Sequence, residues 1–160
     1  MKQGTTLLLK LAVLLIGLPV LVMCVLGLPM IAKDAADNHY ALAHLLYPVL
    51  GIMYVTAIPF FTALYQALKL LSYIDRNHAF SELSVNALKN IKYCAIIISV
   101  VYVAGLPLFY LLGEKDDAPG VIVIGLVLIF APAVIATFSA VLQRLLKEAI
   151  DIKSENDLTV

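Results

Sequence analysis

Charge is what this sequence lacks over most of its length. Asp, Glu, Lys and Arg are absent from Leu11–Ala32, Tyr40–Leu68, Tyr93–Gly113 and Ala118–Gln143. As helices, such runs of about 21 to 29 residues rise roughly 31 to 44 Å, enough to cross a hydrocarbon core of about 30 Å. Charged residues make up 14% of the chain, against about 25% in soluble domains. A soluble globular body is therefore excluded, and 160 residues with four spans leave little for a separate domain.

Other absences narrow the function. There is no HExxH, no Gly-rich phosphate loop and no plausible Ser–His–Asp set. The expectation is a protein that is not an enzyme and that uses no cofactor or metal. No carboxylate, lysine or arginine sits at mid-depth, which argues against ion-coupled transport and proton relays. Cys24 and Cys94 have no companion ligands for zinc. Cys24 lies deep in the first span and Cys94 at the inner end of the third, too far apart for a disulfide. Leu21-Val22-Met23-Cys24 is a poor lipoprotein box, because Met23 is not small. The first run also exceeds a signal-peptide core.

What is present is four continuous apolar runs, without the alternation of barrel strands. Backbone groups in lipid must pair internally. The reading is an all-α integral membrane four-helix bundle in a single domain over 1–160, with spans at about 11–32, 41–68, 93–113 and 119–143. Helix 1 is expected from near Thr5 to Ala32, helix 2 from about Tyr40 to Ile74, helix 3 from about Glu82 to Leu112, and helix 4 from near Pro119 to about Ser154. The tail from Glu155 is expected to fray. Lys2, Lys10, Lys69, Arg76, Lys89, Lys92, Arg144, Lys147 and Lys153 fall in the termini and middle loop, and only Lys33 and Lys115 in the other loops. That bias places both termini and the loop at about 75–81 in the cytoplasm of a cell membrane.

Local signals refine this picture. Ser81 is suited to cap helix 3 through the N–H of Leu83 or Ser84, with Phe80 and Val85 as a hydrophobic staple. Pro119 suits the first turn of helix 4. Apolar stripes in Leu64–Ile74, Leu83–Ile91 and Leu142–Ile150 extend helices 2, 3 and 4 into the cytoplasm. They are expected to pack on each other, the alternative being to lie on the inner leaflet. Phe61–Leu68 resembles Phe138–Leu145, and Gly27-Leu28-Pro29 resembles Gly105-Leu106-Pro107. This hints at two helical hairpins in a parallel repeat.

Every span holds proline, which is common in membrane helices; aligned kinks in the outer half would also open a cavity. Tyr54, Thr56, Thr62, Gln66, Ser99, Tyr102, Thr137, Ser139 and Gln143 are the polar residues within the bilayer, expected to bond helices together or to line a pathway. His39 and His44 are spaced for a metal pair, with no third ligand in certain register.

The densest group of functional side chains is Asp75, Arg76, Asn77, His78, Phe80 and Ser81, joined by Lys89 and Lys92. Such a rim can hold topology against anionic head groups, or can dock a cytosolic protein. Direct nucleic-acid binding is not expected. Small residues such as Ala133/Thr137 and Ala136/Ala140 permit close helix contact, within the bundle or in a homo-oligomer.

The run Ala67–Asp75, then Ala79-Phe80-Ser81, then Ala87–Lys92 resembles small four-span membrane proteins of Gram-positive bacteria that include the YoaS-like family, a domain of unknown function. The resemblance covers nearly the whole chain. It implies a partner of the Xre/Cro helix-turn-helix class, whose genes often adjoin those of the family, and implies no activity or catalytic residue. Two readings follow: a protein that binds a cytosolic partner through the rim, or a small transporter or immunity-type protein acting on a hydrophobic compound in the bilayer.

Overall fold

The computed structural model describes residues 3–158. Lys2, one of the nine biased cations, lies outside the described residues, as does the end of the tail. Helix α1 (Gln3–Val22), a π turn (Met23–Gly27) and α2 (Leu28–Asp37) form the first long rod. The rods α3 (Ala43–Asp75), α4 (Glu82–Lys115) and α5 (Pro119–Leu158) follow. All four rods are long and apolar enough to cross a membrane. The fold is an all-α bundle of four spanning helices.

Three helix ends run past their expected positions. Lys33 belongs to α2, Glu114 and Lys115 to α4, and the tail is helical to Leu158. At α2 and α4 the cause is the form of the turn that follows, a form shared by all three turns. Each closes with one residue in the left-handed region: His39 at φ 49°, Asn77 at 60° and Asp117 at 52°. Tyr40 N–H donates to Ala35 C=O, His78 N–H to Tyr73 C=O, and Ala118 N–H to Gly113 C=O, at 2.9, 2.7 and 2.8 Å. These are Schellman ends, which satisfy the last carbonyls without glycine. The turns therefore need few residues, and the helices take the rest. His39 and Asp117 are separated by the spacing that relates the two Gly-Leu-Pro segments. Between the two turns at the acidic end of the bundle, Tyr40 has its pKa raised above the usual phenol value, by desolvation first and then by hydrogen bonding to the Asp116 carboxylate.

The rods pack in chain order. α4 lies between α3 and α5 and packs extensively on both, while α1 and α2 pack on α3. Leu45, Val49, Ile98, Tyr102, Phe109 and Leu112 form the core between α3 and α4. Lipid tails are as apolar as these side chains, so the hydrophobic effect does not drive this packing; close contact and hydrogen bonds do. Gly125 shows the first: a Cβ there would stand 3.2 Å from the Phe109 ring. Three mid-depth hydrogen bonds show the second. Tyr54 donates to Cys24 C=O (2.7 Å), Thr56 pairs with Tyr102 (2.7 Å), and Ser99 donates to Ile129 C=O (2.8 Å). One bond thus joins each neighbouring pair of rods.

The π turn has a definite cause. Leu28 N–H bonds back to Met23 C=O, five residues earlier. In that register Cys24 C=O faces Pro29, which has no N–H. The hydroxyl of Tyr54 fills the vacancy. Many polar residues inside the bilayer simply satisfy backbone: Thr62 and Thr137 bond the carbonyls four residues back. Cys24 and Cys94 are separate free thiols.

Candidate functional site

The Arg76–Ser81 turn stands at the basic end of the bundle, and its rigidity is built from backbone bonds. Asn77 in the left-handed region closes α3, and Ser81, extended at φ −141°, opens α4. Ser81 caps by position only. Its hydroxyl donates to His78 C=O, as does that of Ser84, which is fully buried. The expected bond from Ser81 to an amide of the next turn is therefore not made, because the nearer carbonyl takes the hydroxyl. Val85 is buried, but Phe80 is 55% exposed, so the expected staple does not cover it. Leu83 is also exposed.

Asp75 faces inward. Lys10 Nζ donates to its carboxylate at 2.8 Å, tying the start of the first rod to the end of α3. The hydrogen bond from Lys10, then that from Thr6, hold its pKa below the ordinary carboxylate value. Asp75 sits seven residues, about 10 Å, beyond the apolar run that ends at Leu68. It thus supports the rim from beneath, while Arg76, Asn77, His78, Phe80 and Lys89 are exposed. Lys92 is half-buried, with Nζ 4.8 Å from the Tyr93 ring centre, and Lys69 sits 5.1 Å from that of Tyr65. Such Lys–Tyr pairs, apolar below and charged above, suit the membrane–water boundary.

The extended ends of α3 and α4 do pack, since Leu71, Val85, Ala87 and Leu88 are buried. That of α5 is barely covered: Leu142 and Leu145 are exposed, and so is every residue of 151–158. Gln143, expected as packing glue, encloses its Oε1 without a hydrogen-bond partner among the described residues. Among the same residues no group of three or more His, Cys, Asp or Glu is placed to hold a metal ion.

The family model described as "Protein of unknown function (DUF2975)" matches residues 30–160. The chain belongs to the DUF2975 family. Within reach of DUF2975, the "Uncharacterized membrane protein YoaS" of Bacillus subtilis (strain 168) is 62% identical over 160 residues, covering the whole of both chains. This DUF2975 chain is a membrane protein. No solved structure matches it.

The rim was legible from the density of polar residues between two spans. The inward role of Asp75 was not, because its partner stands 65 residues earlier in the chain.

Proposed function

We propose that this protein is a non-enzymatic membrane protein whose basic end lies in the cytoplasm and docks a cytosolic partner through the Arg76–Ser81 rim. One observation carries the reading. Exposed Arg76, Asn77, His78 and Phe80 sit on a turn locked by two serine hydroxyls, beside exposed Leu83 and Lys89. An exposed aromatic and an arginine on a rigid frame are the side chains that dominate protein interfaces. Preorganisation lowers the entropic cost of docking. The resemblance to YoaS-like proteins supplies the partner class, a small Xre/Cro-type DNA-binding regulator.

The test has two parts. A membrane-impermeant amine reagent applied to intact cells should leave Lys89 unmodified; its modification would refute the orientation. Co-purification with a regulator from the gene neighbourhood should then fall sharply in Arg76→Ala, Phe80→Ala and Lys89→Glu variants that still insert. Undiminished recovery would refute the rim.

A further inference from the structure

An apolar cavity of about 360 Å³ lies beside the π turn, walled by all four rods, with Met23, Cys24, Thr56, Phe60, Tyr102 and Leu128 among its lining. That volume falls within the range of small-molecule sites, about 300–1,000 Å³. Cys24, Thr56 and Tyr102 each lie 13 residues from the acidic end of their rods, about 20 Å along a helix. The cavity is thus within the hydrocarbon, and its occupant arrives from the bilayer.

Its polar equipment is small and specific. Thr56 Oγ1 lies 3.0 and 3.1 Å from the carbonyls of Ile52 and Met53, and 2.7 Å from the Tyr102 hydroxyl. When Thr56 donates to its own backbone, Tyr102 donates to Thr56 and keeps lone pairs to accept from a hydroxyl. When the pair reverses, the Tyr102 O–H is released to donate to a carbonyl. Met23 and Met53 give walls that adapt to shape. Depth selects among occupants. A phospholipid holds its ester oxygens at the interface and brings only methylenes to Tyr102. A molecule dissolved in the bilayer can carry an oxygen to that level.

We propose that this cavity binds a membrane-dissolved apolar molecule bearing a single hydroxyl or carbonyl oxygen, seated with that oxygen on Tyr102. The site is separate from the rim, and its test reads neither partner nor topology.

The chain contains no tryptophan, so Phe60→Trp places a lone fluorophore in the wall. Ile58→Trp places one on an exposed face of the same helix. Both proteins are reconstituted in phosphatidylcholine vesicles and titrated with dibromostearyl alcohol, a quencher. A parallel arm uses phosphatidylcholine with dibromostearoyl chains. Quenching of F60W should saturate at a lower alcohol fraction than that of I58W. Tyr102→Phe in the F60W background should raise the required fraction roughly threefold to tenfold, the loss of one hydrogen bond in a membrane. Ala57→Phe, which fills the cavity, should abolish the difference. If F60W fails to fold, Leu128→Trp reports from the opposite wall. Equal quenching of the two reporters would overturn the proposal. So would brominated phospholipid matching the alcohol at F60W, or an unchanged titration in folded Y102F protein.

Discussion

The hydroxyl of Tyr54 stands 2.7 Å from the carbonyl of Cys24, on the neighbouring rod, and replaces the hydrogen bond that Pro29 is unable to donate. Sequence chemistry on one rod is thus completed by a side chain from the next. Tyr54→Phe should destabilise the protein by about 0.5–2 kcal/mol, the range for hydrogen bonds between membrane helices. Pro29→Ala restores an N–H and should remove most of that penalty in the double variant. Thermal unfolding in detergent, read with a thiol dye on Cys24 and Cys94, checks the cycle. Equal losses with and without Pro29 would refute the link.

The Lys10–Asp75 pair clips the start of the first rod to the rim. Asp75 titrates below the ordinary carboxylate value, so the clip contributes stability above that value, near pH 4. This contribution is lost as pH falls through the lowered folded value. Attachment should thus be constant from pH 8 to about pH 5 and weaken only in stronger acid. Asp75→Asn should loosen it at every pH. Amide exchange in Thr6–Lys10 measures both.

Left-handed His39 and Asp117 are turn residues that glycine would suit better. His39→Gly or Asp117→Gly should stabilise by up to about 1 kcal/mol, and His39→Val should destabilise by about 1–2 kcal/mol. Unfolding midpoints decide. A gain from valine would contradict the turn geometry.

Gly125 lets α5 approach the Phe109 ring. Gly125→Leu should separate α4 from α5 at a cost of about 1–3 kcal/mol, as overpacking does. Disulfide trapping between cysteines placed at Ser99 and Ile129 should slow in that variant.

The spans were legible because lipid demands uncharged runs, a demand visible in one dimension. The helix ends are less legible, because charge at Lys33, Glu114 and Lys115 marks the edge of the apolar run and not the end of the helix. Nothing in their chemistry forbids helix, and the stop signals are non-glycine left-handed residues without a sequence signature. The place of Ser81 at the start of α4 is legible in the sequence, but its hydroxyl bond depends on where the His78 carbonyl points. The polar residues within the bilayer were visible as a set, and kinks in the outer half were already a route to a cavity. Which of those residues wall it depends on how the rods pack, and no local pattern reports that.

Among the described residues the first rod packs chiefly on α3, held by a solvent- or lipid-facing phenol bond near its middle and by Lys10 and Thr6 on Asp75 at its end. Its detachment would sacrifice little of the core shared by α3 and α4. Parting the first rod from α3 therefore costs less contact than parting any other two neighbouring rods of the bundle.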